Sequence, residues 1–270
     1  GGTIYTVALQ SNGKVIVGGR FEITGSSYRS IVRLNANGSI DTSFNNVSLN
    51  GFINEIRRIT VLADDTIVIG GNFQIGNETG STSQVAKLDA NGNFNPAFRM
   101  INFGGTLRDF AVQPDGKVLV CDLNIQRQNA DGSTDASYPV VIAGGISRMI
   151  LRPDNKLLIV GSFQQVNGFA QGRIALINAD ASLDLTFNQN GIGAVGGNIN
   201  DVILVSQGTM FVGGTFTQFN GVARNKIAKL NVDGSVDATF TYTPPNANTV
   251  IKDLEYLGDG RLVISGDQTA

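Results

Sequence analysis

The stretch NVDGSVDATF, residues 231–240, sets Asn231, Asp233 and Asp237 around a glycine, a spacing from which oxygen ligands for calcium could be built. A helix–loop–helix calcium loop also needs a bidentate glutamate about six residues past its glycine, with helices on either side. Phe240 stands in that place, and no helical periodicity surrounds it. The competing chemistry is conformational. Asp-Gly between two strands is a hairpin turn, and flanking Asn and Asp side chains can bond their own backbone. The stretch has four relatives: NANGSIDTSF (35–44), DANGNFNPAF (89–98), NADGSTDASY (129–138) and NADASLDLTF (178–187). Recurrence of this kind is expected of a structural turn, so no metal is assigned.

Other candidates for chemistry are few. Histidine is absent, which removes Ser–His–Asp and Cys–His arrangements and the commonest metal ligand. The single Cys121 ends an apolar strand and reads as a packed thiol. Asp41, Asp135, Asp184 and Asp237 occupy equivalent turns, while Asp109, Asp201 and Asp253 share a first-strand position. The latter three could approach a central channel, either as its polar, water-lined wall or as carboxylates acting on a polysaccharide. The Gly-Gly pairs at 18–19, 70–71 and 213–214 lie within strand patterns rather than before a helix. They therefore signal close backbone approach or a bulge, not a phosphate cradle.

These residues must be positioned by a β architecture. A second motif family, SNGKVIVGG, DDTIVIGG, PDGKVLV, PDNKLLIVG, QGTMFVGG and GDGRLVISG, is centred on residues 13, 65, 116, 155, 208 and 260. Its copies are 52, 51, 39, 53 and 52 residues apart, which identifies a repeat array. Each period reads as four strands. The first alternates (Val7 and Leu9, with Ile59/Val61, Phe110/Val112, Met149/Leu151, Val202/Leu204 and Leu254/Tyr256 as equivalents). A two-residue Asn-Gly or Asp-Gly type I′ turn is expected next, then an unbroken apolar second strand covered on both faces. A third strand such as Ile227–Leu230 meets the fourth across the Asp-Gly turn. This predicts an all-β fold, a β-propeller of about six four-stranded blades. Six first hairpins and five second hairpins give five and a half blades. The third is shortened, with Cys121 and Asp122 in place of Gly-Gly and Asn124 in the position of Phe216. A single propeller domain over 1–270, belonging to a longer chain or closed by a two-stranded blade, is expected.

The bulk composition agrees. Charged residues are 16%, and glycines number 34, which suits tightly turned β structure. A net charge of −2 without basic runs gives no electrostatic case for nucleic acid, and no apolar run is long enough to insert in a membrane.

The combination PDGKVLV, VGGTFTQFNGVARNKIAKLNVDGSVDATF and VGGRF…IVRLNANGSIDTSF resembles the delta-60 repeat of β-propellers. That repeat occurs in bacterial surface or secreted proteins and in phage structural proteins. The resemblance implies an extracellular, cell-surface or virion setting (a tail or fibre component, or an adhesion module) and carries no catalytic motif or cofactor. The expected function is a non-catalytic binding or structural module, with a polysaccharide hydrolase or lyase as the alternative. Binding is expected on the loops after Gly-Gly-x-Phe: 22–30, 74–83, 164–172 and 217–225. Tyr28, Arg29, Phe169, Phe219 and Arg224 are the candidate contact residues. The expected partners are other protein subunits or a cell-surface receptor or glycan.

Overall fold

The computed structural model describes residues 2–24, 29–45, 49–75, 83–98, 106–189 and 192–267. The chain is all-β; its only helical element among these residues is a 3₁₀ turn at Ser206–Gly208. No helix among them is long and apolar enough to cross a membrane. The chain divides into two compact units, one of residues 1–122 with 127–135 and one of residues 123–126 with 136–270.

In the first unit, β1 (Thr3–Leu9), β2 (Val15–Glu22) and β3 (Arg29–Leu34) form an antiparallel sheet in that order. β4 (Leu49–Val61), β5 (Ile67–Ile75) and β6 (Ser83–Leu88) form the next. The third repeat places β7 (Asp109–Val112), β8 (Val118–Cys121), β9 (Ile125–Gln128) and β10 (Thr134–Val140) in the order β10-β9-β8-β7.

The second unit has two kinds of sheet. The repeat sheets are β12 (Ile146–Leu151), β13 (Leu157–Gly161) and β16 (Ile174–Ile177), then β18 (Ile199–Leu204), β19 (Met210–Gly214) and β22 (Ile227–Leu230). The last repeat has only β23 (Val250–Tyr256) and β24 (Leu262–Asp267). Two small sheets accompany them: β11 (Ile142–Ala143) with β14 (Gln165–Val166) and β15 (Phe169–Ala170), and β17 (Ala194–Val195) with β20 (Gln218–Phe219) and β21 (Val222–Ala223).

The repeat reading holds, with six first hairpins and a shortened third repeat. The fourth strand is slighter than expected. In four repeats it contracts to a single bridge: Leu34–Ile40, Leu88–Phe94, Ile177–Leu183 and Leu230–Val236. Among the described residues only the third repeat extends it to a full strand.

The turns differ from the expected two-residue type I′ form. Gln10 N donates to Lys14 O at 2.9 Å and Gly13 N to Gln10 O at 3.0 Å, while φ is positive at Gly13 but not at Asn12. This is a three-residue loop, a type I turn closed by a glycine bulge. Asn35–Ser39, Gln113–Lys117 and Asn231–Ser235 repeat it. The middle side chain braces this form. Asn12 Oδ1 accepts Lys14 N at 3.0 Å, and Asp233 Oδ1 accepts Ser235 N at 2.9 Å. Such an Asx bond suits a right-handed middle residue and leaves only the next one left-handed.

Gly-Gly has two separate reasons. A Cβ on Gly213 would lie 2.6 Å from Ile251 Cγ2 of the next repeat, so the first glycine lets neighbouring sheets pack. A Cβ on Gly214 would lie 2.0 Å from the Asn198 carbonyl oxygen, beside the register shift between Ile199 and Asp201. The second glycine therefore accommodates a bulge in the first strand. Both expected explanations apply, one per residue. Where Cys121 replaces the first glycine, Asp109–Val112 pair with Val118–Cys121 in continuous register.

Each apolar cluster spans two consecutive repeats. Ile16, Ile31 and Phe44 pack with Ile56, Ile59 and Ile69. Val160, Leu176 and Phe187 pack with Val202, Val212 and Phe219. Ile59, Phe110, Met149, Val202 and Leu254 are all buried, whereas their first-repeat equivalent Val7 is 62% exposed.

Candidate functional site

Carboxylates are abundant, and local geometry accounts for most of them. Asp237 Oδ1 accepts Thr239 N at 2.8 Å, and its Oδ2 meets Lys229 Nζ at 2.8 Å. Asp41 is clamped by Lys14 and Arg33, each at 2.7 Å, and Asp135 by Lys117 and Arg127, each at 2.8 Å. Lys156 reaches Asp184 at 2.6 Å. The Lys14 bond, with that of Ser43, holds the Asp41 carboxyl well below the usual carboxylate range. These aspartates join the start of a second strand, the third strand and the turn that follows it. In the second repeat Asn95 replaces the aspartate, Thr66 replaces the lysine, and Lys87 turns instead to Gly116 O (3.2 Å) and the Phe98 ring (4.5 Å). Among the described residues no group of three or more Cys, Asp or Glu side chains could hold a metal ion. The opening motif forms a turn, in which Asp233 Oδ1 accepts Ser235 N at 2.9 Å.

Asp109 and Asp201, expected as channel-facing carboxylates, are 2% and 3% exposed rather than solvated. They meet Arg58 (3.3 Å) and Arg148 (3.5 Å) from the first strand of the preceding repeat. Asp201 Oδ2 also accepts the Leu254 amide at 2.8 Å. Burial pushes the Asp201 carboxyl up to about 6, against the pull of Arg148 and the Leu254 amide. Asp253, the third member of the set, is exposed. Cys121 is buried, and its thiol is pushed up to about 12 by that burial, with Asp109 and Asp122 adding to the effect.

The expected binding loops fare unequally. Tyr28 lies outside the described residues, as does most of the 74–83 loop. Arg29 is exposed and pairs with Glu22 at 2.7 Å. The 164–172 and 217–225 segments are not open loops but tight hairpins, β14–β15 and β20–β21. Their Asn-Gly turns are true two-residue type I′ turns, with φ of 50° and 82° at Asn167 and Gly168, and 47° and 76° at Asn220 and Gly221. Asn167 Oδ1 accepts Val141 N at 2.9 Å and Asn220 Oδ1 accepts Gly193 N at 2.8 Å, tying each hairpin to the strand before it.

Phe219 is a correction. It is fully buried against Phe216, ring centroids 6.0 Å apart, because alternation in β20 turns it inward; it cannot touch a ligand. Arg224 is half-buried, donating to the Ala223 and Asp237 carbonyls at 2.9 and 3.4 Å. Phe169 is the candidate left open, 51% exposed at the tip of β15.

Phe169 lies in a surface cleft of the second unit. With Leu185 (59% exposed) and Ile192 (48%) it lines an open cleft of about 360 Å³. Asn188 and Gln189 are shared with a second cleft of about 270 Å³, which Thr186, Asn220, Asp233 and Ser235 complete. One wall is apolar, and the other carries amides, hydroxyls and a carboxylate. Sequence reasoning missed Leu185, Ile192 and the polar wall, whose residues lie in two successive repeats.

Comparison with known proteins agrees with this architecture. The YCF48 protein bound to a D1 peptide superposes with a TM-score of 0.57 at 14% identity, covering 98% of this chain and 76% of that one. The WD40 β-propeller domain of Doa1 gives 0.55 at 12%, covering 98% and 90%. The extracellular domain of the one-component system BT4673 from B. thetaiotaomicron gives 0.59 at 13%, with 98% of this chain covered but only 31% of that one. No curated protein matches the sequence. The family model for the DUF5122 β-propeller, a domain of unknown function, matches residues 10–44, 62–98, 152–187 and 207–240 and passes over the shortened third repeat. With its repeats matched over more than half its length, the chain belongs to the DUF5122 β-propeller family.

Proposed function

We propose that this chain is a non-catalytic β-propeller module, of delta-60 type, in a bacterial surface protein or a phage virion (a tail or fibre component). It holds another protein subunit, or a cell-surface receptor or glycan, through the rim bearing Phe169. The observation that carries this reading is the exposed wall of Phe169, Leu185 and Ile192 beside a cleft of amides and hydroxyls. Exposed apolar groups next to convergent polar ones mark a surface built for contact. The clamped aspartates and Asx turns support a non-catalytic role, since they occupy most of the carboxylates. The extracellular setting draws support from the likeness to the BT4673 extracellular domain.

A polysaccharide hydrolase or lyase is the second reading. It would rest on Asp201, whose carboxyl is pushed up to about 6 by burial. Against it, Asp201 is 3% exposed and already engaged by Arg148 and Leu254.

Fractionation of the native source culture into virions, envelopes and supernatant tests the setting, and purified protein incubated with each fraction tests binding. Saturable retention by virions or envelopes, lost in the Phe169→Ser/Leu185→Ser double variant, is the expected result. Retention unaffected by that variant would remove the Phe169 rim from the proposal, and release of reducing sugar ends from the envelope fraction would favour the enzyme.

A further inference from the structure

We infer that the cleft beside Phe169 takes a neutral sugar residue, held through its hydroxyls by the side-chain amides of Asn188 and Gln171. This rests on the reading of that rim as the contact surface and names what it contacts. Asn188 is 3% exposed and Gln171 7%, and both line the cleft of about 360 Å³. Among the described residues neither Oδ1 nor Nδ2 of Asn188 has a hydrogen-bond partner, and neither has Oε1 of Gln171. Buried polar atoms are nearly always paired. Three unpaired ones, from two side chains, gather at the floor of one cleft.

Equivalent positions in other repeats show how each amide would ordinarily be engaged. Asn45 and Asn188 both follow the terminal aromatic of a repeat. Asn45 N donates to Asn91 O at 2.8 Å and Asn188 N to Asp233 O at 2.7 Å, so the two backbones dock alike on the next turn. Asn45 Nδ2 then donates to Asn93 Oδ1 at 2.8 Å. Ser235 stands in the place of Asn93, and its hydroxyl is engaged within its own turn by Asp233 Oδ1 (2.7 Å) and Asn231 Nδ2 (2.8 Å). Gln171 corresponds to Arg224, whose longer side chain reaches Asp237 O at 3.4 Å. The amide atoms left over name the occupant. Asn188 offers one donor and one acceptor side by side, which a vicinal diol answers with one oxygen accepting and the next hydroxyl donating. Another hydroxyl can donate to Gln171 Oε1. Neither this cleft nor the adjoining one is lined by Lys or Arg among the described residues, so no anion is selected. The exposed Phe169 ring supplies a face for the C–H side of a sugar. The unpaired groups are side-chain amides, not the main-chain row that an extended peptide pairs with.

The first probe is an equimolar mixture of glucose, galactose, mannose and rhamnose, added to the whole chain and read by saturation-transfer NMR, with titration of any sugar that responds. Saturable binding is expected, weakened about tenfold by Asn188→Gly and by Gln171→Met, as loss of a hydrogen bond or two does. Asn188 has φ of 49°, which glycine adopts freely, and the main-chain bond to Asp233 O is kept. Since the amide atoms removed have no partner, neither variant should melt below wild type. No saturation by any of the four sugars, or binding indifferent to both variants, would overturn the inference, as would a fall in melting temperature that matches the lost binding. The second probe is the retaining virion or envelope fraction after mild periodate, which cleaves vicinal diols, or after protease. Retention should be lost with periodate and survive protease. Retention lost in Phe169→Ser/Leu185→Ser but untouched by periodate and by Asn188→Gly would keep the rim and overturn the sugar, making a protein the occupant. Sugar binding that needs Asn188, without retention by any fraction, would keep the sugar and overturn the proposed setting.

Discussion

The Asp201 carboxylate reaches from one first strand to accept the main-chain amide of Leu254 on the next, at 2.8 Å. Thr6 does the same at the equivalent place, its Oγ1 accepting the Ile59 amide at 3.3 Å. The position is a joint between consecutive repeats, and in Asp201 the joint is titratable. Burial raises its pKa from 3.8 to about 6, so the folded chain binds this proton more tightly than the unfolded one. Its contribution to stability is complete below about pH 4 and is lost as pH rises through 6. Asp201→Asn removes the titration. Its stability relative to wild type should therefore rise by up to about 3 kcal/mol between pH 4 and pH 7, read from urea unfolding at each pH.

Asp41 behaves oppositely. Its pKa is depressed, so its contribution is present above about pH 4 and falls away as acid protonates it. Arg33, 2% exposed, supports Asp41 and also donates to Ala90 O of the next repeat at 2.6 Å. Arg33→Ala should cost about 1–3 kcal/mol at pH 7, because its bonds to Asp41 and Ala90 O are lost while Asp41 keeps Lys14 and Ser43. Thermal unfolding should show the deficit shrinking in acid.

Phe216→Ala should cost about 3–5 kcal/mol, because the ring is fully buried. Asn124, its counterpart in the short repeat, is exposed, but its Oδ1 accepts Ile142 N at 3.1 Å. Loss of that bond sets the cost of Asn124→Ala at about 1 kcal/mol. Chemical denaturation of the two variants tests the alignment of the third repeat.

Asn220→Ala should destabilise by about 2 kcal/mol, from left-handed strain and the lost bond to Gly193 N. Asn220→Gly should recover the conformational half only. Comparing the two by calorimetry separates strain from hydrogen bonding.

Cys121 should resist iodoacetamide at pH 8 while the chain is folded, reacting at least about 100-fold more slowly than in urea, since a buried thiol at about 12 holds little thiolate. Mass spectrometry of the labelled protein reads this directly.

The repeat, the six first hairpins and the short third unit were legible because apolar alternation and glycine position are written in consecutive residues. The turn type was not. Asn-Gly at 12–13 and at 167–168 are the same dipeptide, yet the first closes a three-residue loop and the second a two-residue one. What distinguishes them is how many residues separate the paired strand ends, which the dipeptide does not encode. Phe169 and Phe219 looked alike for a similar reason. Phe219 precedes its Asn-Gly turn, in the buried position that Val166 holds in the other hairpin, whereas Phe169 follows its turn, in the exposed position of Val222. The polar cleft was invisible because Thr186 and Asp233 belong to successive repeats and converge only through sheet packing.

The coupled replacements in the second repeat bear on how such a chain could be edited by recombination. Asn95 in place of aspartate and Thr66 in place of lysine remove one charge of each sign together, and Lys87 finds its partners, Gly116 and Ala130, in the following repeat. A crossover inside a repeat would separate such a set and strand a charge in a buried position. One that moves a whole repeat keeps the acceptors, because they are main-chain carbonyls at equivalent turns: Arg33 reaches Ala90 O of the next repeat as Lys87 reaches Ala130 O. The two hairpins of one repeat therefore form a set, and a chimaera cut between repeats should fold where one cut between the hairpins of a repeat fails.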